Sequence, residues 1–173
     1  MSFFKGFYNY IMPPVLLFDL SKIDLNAEPI YDKKAICKVN PQSFEMQQLD
    51  AILWFDKDEL LILGYKDVTD HEFWVRGHIP GRPLMPGVIM VECAAQLLSF
   101  FIKEIFQEKG FIGFSGIENT KFRSVVEPGQ RLYLLGKITK YTKKERTSHV
   151  TTNVQGIVDG KMVFETTVSG MRV

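Results

Sequence analysis

The stretch from Gly87 to about Lys109 constrains this chain more than any other. Val88, Ile89, Met90, Val91, Ala94, Ala95, Leu97, Leu98, Phe100, Phe101, Ile102, Ile105 and Phe106 point in almost every direction of a helical wheel. A surface helix keeps one polar face, so a helix like this one has to be wrapped by the rest of the chain. The apolar stretch within it, Gly87 to Ile102, is interrupted by Glu92 and Gln96 and is too short to span a bilayer comfortably.

Strand patterns supply the wrapping. Ala51 to Phe55, Leu60 to Val68, Phe111 to Asn119, Arg131 to Tyr141, Thr147 to Val158 and Lys161 to Val173 read as strands. They are joined by turn signals: Asp56-Lys57-Asp58-Glu59, Glu127-Pro128-Gly129, Lys143-Lys144-Glu145 and the two-residue hairpin Asp159-Gly160. Several helices alternating with strands are absent, which disfavours a doubly wound fold. The expected class is α+β, a curved and mostly antiparallel sheet around one long central helix. With 173 residues the chain has room for one domain. We read 1–40, punctuated by Pro13, Pro14 and Pro29, as an N-terminal arm and 41–173 as the domain. Pro41 stands near the start of a short helix expected over Ser43 to Leu49, and Thr69 to Pro86 holds too many glycines and prolines for regular structure.

Three features around the helix start carry chemistry. Glu92 is an acid on the second turn of an otherwise apolar helix. A buried carboxylate is costly unless it pairs, with Arg82 for instance, or stays protonated. With Pro86 as first helical residue, Met85 is the expected N-cap, and its side chain has no oxygen to accept the free amides. The Gly87 and Val88 amides then point outward at the positive end of the helix, a site suited to a carbonyl oxygen gaining charge. His78 sits just upstream in the rigid loop Arg76-Gly77-His78-Ile79-Pro80-Gly81-Arg82-Pro83-Leu84-Met85-Pro86. A base, a carboxylic acid and an oxyanion site suit proton movement beside a carbonyl. His71 and His149 lack such a setting and are read as structural.

The string His78-Ile79-Pro80-Gly81-x-Pro83-x-Met85-Pro86-Gly87-Val88-x-x-x-Glu92 resembles the signature of the β-hydroxyacyl thioester dehydratases of the FabZ/FabA type, which have the hotdog fold. The resemblance spans about residues 41 to 173 and includes Asp67-Val68-Thr69, Cys93-Ala94-Ala95-Gln96, Lys121-Phe122-Arg123 and Val126-Glu127-Pro128-Gly129. It departs at Ile79, where Phe is usual, at Gln130, where Asp is common, and at Pro41-Gln42-Ser43, where Pro-His-Arg is common.

The resemblance implies a homodimer, or a trimer of dimers, with sites at the subunit interface. His78 of one subunit would take the α-proton of a 3-hydroxyacyl thioester, and Glu92 of the other would protonate the departing hydroxyl. Gly87 and Val88 would bind the thioester carbonyl, and Phe114 would line the acyl tunnel. The substrate would ride on acyl carrier protein or coenzyme A, with no cofactor and no metal. A hotdog thioesterase and a non-catalytic acyl-binding module are the alternatives, separated by product analysis.

The remaining composition narrows the partners. Twenty-one basic against twenty acidic side chains leave a net charge of +1, which offers no broad footprint for nucleic acid or a membrane surface. Cys37 and Cys93 cannot form a disulfide framework and lack ligand spacing for zinc, so both read as small buried hydrophobes in a reducing compartment. The apolar N-terminal stretch carries Pro13-Pro14 and no clear cleavage site, a poor secretory signal, and the expected location is cytoplasmic.

Overall fold

A computed structural model describes residues 15–145 and 147–172. The first fourteen residues of the arm, with Pro13 and Pro14, and the last residue of the final expected strand lie outside them. The long helix is α2 (Gly87–Phe100), and it continues through a π turn over Phe101–Ile105. Around it runs one seven-stranded antiparallel sheet: β1 (Tyr31–Asp32), β2 (Ala51–Asp56), β3 (Leu61–Asp67), β4 (Ile112–Phe122), β5 (Arg131–Lys143), β6 (Ser148–Val158) and β7 (Lys161–Arg172). The spatial order β1-β2-β3-β5-β6-β7-β4 puts β4 at an edge. This is the α+β architecture that the helix and the strand pattern predict, and it agrees with the hotdog fold that the resemblance implies.

Turn chemistry sets the register. Asp159 (φ 49°) and Gly160 (φ 73°) both take the left-handed conformation, and Val158 pairs with Lys161 across them. Asp56 Oδ1 accepts the amides of Asp58 and Glu59 to close the β2–β3 turn.

The helix lies against the sheet at two glycines. A Cβ on Gly64 of β3 would stand 2.8 Å from the Ala51 carbonyl and 2.9 Å from Leu97 Cδ1. One on Gly136 of β5 would stand 3.1 Å from Leu97 Cδ2. Leu97, fully buried, therefore occupies the space those two missing side chains leave. The main core gathers Met90, Ala94, Leu97 and Phe101 with Ile62, Leu134, Val154 and Val168. Wrapping is not complete. Val88 is exposed while Glu92 and Ala95 are half-buried, and at this spacing they form one stripe along α2.

At the far end of the helix Glu108 is buried among Arg172 (2.8 Å), Lys143 (2.8 Å) and the Tyr141 hydroxyl (2.6 Å). Burial alone would push the Glu108 carboxyl up, but those donors and charges hold it below the usual carboxylate range. Burial first and Glu108 second push the Tyr141 phenol up to about 12.

The described part of the arm packs on the domain and carries short elements of its own. Residues 33–39 form α1 (Lys33–Val39), capped by Asp32, whose side chain accepts the Ala35 amide. Leu16, Leu17, Phe18, Leu20, Ile23 and Leu25 pack on the outer face of the sheet, over Leu53, Leu63, Leu135 and Ile157. Gln155 clamps them: its Oε1 accepts the Leu17 amide and its Nε2 donates to the Val15 carbonyl. The helix expected over Ser43 to Leu49 is only a 3-10 turn, Phe44–Met46. The amides of Gln48 and Leu49 donate instead to Gln96 Oε1, which a continued helix would prevent.

Leu97→Ala should cost about 3 kcal/mol, since it opens a cavity against two glycines that cannot fill it. Gly64→Ala should cost about 1–3 kcal/mol through overpacking against a backbone oxygen. Denaturant midpoints measure both, and an unchanged midpoint in either contradicts this packing.

Because the folded Glu108 carboxyl is depressed, its contribution is complete above the ordinary carboxylate range and is lost as the pH falls through its folded value. Glu108→Gln should lower stability near pH 7 and make its decline towards about pH 3 shallower. An acid limb as steep as that of the unmodified protein would contradict the assignment.

Candidate active site

The site is built on the open stripe of α2 and on the loop that leads into it. Glu92 lies on one cavity of about 150 Å³, with Pro41, Gln42, Leu98, Ser99, Phe114 and Gly170 among its walls. Its neighbours are amides and not the arginine considered from sequence: Gln96 Nε2 donates to Glu92 Oε1 at 2.7 Å and Gln42 Nε2 to the same oxygen at 3.2 Å. Among the described residues Glu92 forms no ion pair.

The orientation of Gln96 follows from its other contacts. Its Oε1 faces two backbone amides, those of Gln48 (3.0 Å) and Leu49 (3.1 Å), so that atom must be the acceptor. Its Nε2 is then the donor towards Glu92 and towards the Met46 carbonyl at 2.6 Å. Two donors on Oε1 leave Oε2 as the oxygen that carries the proton when Glu92 is an acid. In the sequence Gln96 figures only as an interruption of the apolar wheel and as the end of the matched string Cys93-Ala94-Ala95-Gln96; its bond to Glu92 comes from the fold.

His78 is exposed in the loop. Its amide donates to the Trp74 carbonyl at 2.7 Å, and its own carbonyl accepts the Leu84 amide at 3.0 Å. Nδ1 lies 2.9 Å from the Leu84 carbonyl oxygen. A carbonyl can only accept, so Nδ1 carries the hydrogen and Nε2 keeps its lone pair in the neutral ring. Buried Lys66 ties the loop to β3 through Glu72, 2.8 Å away.

At the helix start the N-cap is Pro86 and not Met85: ψ of 135° leaves Pro86 extended, and Gly87 is the first helical residue. The chemical consequence is unchanged, because proline has no side-chain acceptor. Among the described residues the Gly87 and Val88 amides have no acceptor, while the Pro86 carbonyl takes the Ile89 and Met90 amides. The Phe122 ring at the end of β4 lies against Gly87, 2.7 Å from where a Cβ would stand.

The fold thus brings Glu92 and Phe114 to one cavity and leaves His78, Gly87 and Val88 off its lining. Among the described residues no hydrogen bond or ion pair joins His78 to Glu92, and no group of His, Cys, Asp and Glu could hold a metal. Cys93 is buried, which pushes its thiol well up; Cys37 is only partly so. Among the described residues no helix is long and apolar enough to cross a membrane.

Comparison with known proteins places this geometry. A family model described as a FabA-like domain matches residues 40–167. The chain is 40% identical over 105 residues to a 3-hydroxyacyl-acyl-carrier-protein dehydratase FabZ from Fusobacterium nucleatum, covering 61% of this chain and 74% of that one. It is 34% identical over 139 residues to a FabZ of the same description from Clostridium botulinum, covering 80% and 93%. Among solved structures, the dehydratase heterocomplex ApeI:P from Xenorhabdus doucetiae superposes with a TM-score of 0.64 at 11% identity, over 80% of this chain and 90% of that one. That likeness is one of fold.

Proposed function

The chain belongs to the FabA-like family, and on that premise we propose that it acts as a 3-hydroxyacyl thioester dehydratase of fatty-acid synthesis. It is a hydro-lyase that eliminates water to leave a trans-2-enoyl thioester. His78 Nε2 takes the α-proton, and the electron pair of that bond becomes the new double bond. The bond from the β-carbon to oxygen breaks as Glu92 Oε2 gives its proton to the leaving oxygen, which departs as water. The Gly87 and Val88 amides hold the thioester carbonyl while enolate charge develops on it.

The observation that carries the reading is the placement of these groups along β4. Phe114, near the start of the strand, lines the Glu92 cavity, and Phe122, at its end, covers Gly87. Pairing β4 antiparallel with a second copy about a two-fold axis lays the start of one strand beside the end of the other. The helix start and His78 of one copy then meet the Glu92 cavity of its partner, twice over. Support comes from the strand itself: it is an open edge on which Phe114, Ile117 and Phe122 are each about half exposed. Val88, on the uncovered stripe of α2, is exposed as well.

The substrate is carried by acyl carrier protein, as the names of the FabZ relatives suggest. Arg76 and Arg82 lie exposed in the histidine loop and form no ion pair among the described residues, while Lys121 and Arg123, which flank Phe122 beside Gly87, share the single carboxylate of Glu165. Cys37 and Cys93, both free, suit the reducing cytoplasm.

The test is product analysis with 3-hydroxyacyl thioesters. A new enoyl absorbance is expected, whereas release of free thiol would mean hydrolysis and binding without turnover a non-catalytic module. His78→Ala and Glu92→Gln should each lower turnover by at least about a hundredfold with little change in melting temperature. Near-normal turnover in either folded variant overturns the assignment.

A further inference from the structure

Gln42 occupies the cavity with Glu92 and has a hydrogen-bonding capacity that the fold does not use. Its Nε2 donates to Glu92 Oε1, yet its Oε1 is shut off from solvent and has no partner among the described residues. An enclosed amide oxygen without a donor is costly, so such an atom points to a group that arrives from outside. The Gln42 backbone is itself held, since its carbonyl accepts Gln47 Nε2 at 3.4 Å, and Pro41 precedes it on the cavity wall.

The chemistry of the arriving group follows from its surroundings. The atom is an acceptor, so it needs an O–H or N–H donor. It belongs to a side chain bonded to the acid whose Oε2 gives up the proton. In a 3-hydroxyacyl thioester the hydroxyl carries the only donor beside the bond that breaks. Accordingly we infer that Gln42 is a substrate-binding residue: its Oε1 accepts the hydrogen of the β-hydroxyl while its Nε2 holds Glu92 Oε1, which aims Oε2 at the hydroxyl oxygen. The atoms balance as before. The hydroxyl keeps its own hydrogen, Glu92 supplies the second, and water leaves still bonded to Gln42. The enoyl product has no hydroxyl and loses this contact, which favours its release. The inference rests on the dehydratase reading and gives Gln42, at a position where the sequence departs from the common Pro-His-Arg, a part in recognising the substrate.

Binding in the His78→Ala background, which does not turn over, tests it. Calorimetry compares a 3-hydroxyacyl pantetheine thioester with the saturated acyl thioester of the same length. The His78→Ala protein should prefer the hydroxylated ligand by roughly fivefold, the worth of one net hydrogen bond. Adding Gln42→Met, which keeps the volume and removes the amide, should lower that preference severalfold and leave the saturated ligand bound as before; what remains is the contact of Glu92 with the hydroxyl oxygen. A purely structural role would weaken both ligands alike. Equal binding of the two ligands by His78→Ala, a preference that Gln42→Met leaves undiminished, or parallel loss of both ligands overturns the inference. Failure of the unmodified protein to form any enoyl thioester overturns the dehydratase reading itself, a separate measurement.

Discussion

The rest of the structure depends on the contact between α2 and the concave face of the sheet. Leu97 fills the space above Gly64 and Gly136, and that close approach lets a single layer of strands cover most of an apolar helix. What the sheet does not cover is the stripe through Val88, Glu92 and Ala95. That stripe carries Glu92, so the part of the helix left open holds the acid of the proposed reaction. Gln96 belongs to the same arrangement. Buried on the flank of α2, it meets its hydrogen-bonding needs with the backbone at Met46, Gln48 and Leu49, and so fixes which oxygen of Glu92 is free.

Stability and catalysis converge on β4. An apolar edge strand left bare is a site for uncontrolled association, and burial against a copy of itself removes that hazard. In the proposed dimer the same burial would bring His78 and the Gly87 and Val88 amides of one copy to Glu92 and Phe114 of the other. Among the described residues no hydrogen bond or ion pair joins His78 to Glu92, and the proposed dimer is what would bring them together. The outer face of the sheet is handled differently: the segment before the domain packs over it, and Gln155 holds that segment as a neighbouring strand would.

Much of the fold was legible because it rests on local signals. Alternation placed the six long strands to within a few residues, and Asp159-Gly160 specified its hairpin through backbone conformation alone. The elements missed are those that depend on distant partners. The helix α1 has one buried residue, Ile36, so its seven residues show no periodicity, and only Asp32 as a cap could have marked it. Gln48 and Leu49 leave the helical pattern because Gln96, far away in sequence, takes their amides. The same distinction holds at the site. His78, Gly87 and Glu92 stand out by type and spacing, while Gln42 matters only through what folding places beside it.

The central claim is that each site takes His78 from one subunit and Glu92 from the other, and complementation tests it most directly. Chains carrying His78→Ala and chains carrying Glu92→Gln are co-expressed in equal amounts, and a tagged pull-down establishes that mixed dimers form. Random pairing makes about half of the dimers mixed, each with one intact site and one lacking both groups. Activity should recover to about one quarter of that of the unmodified protein, as two-fold statistics require. Mixed dimers whose activity stays at the level of either variant alone would contradict the shared site.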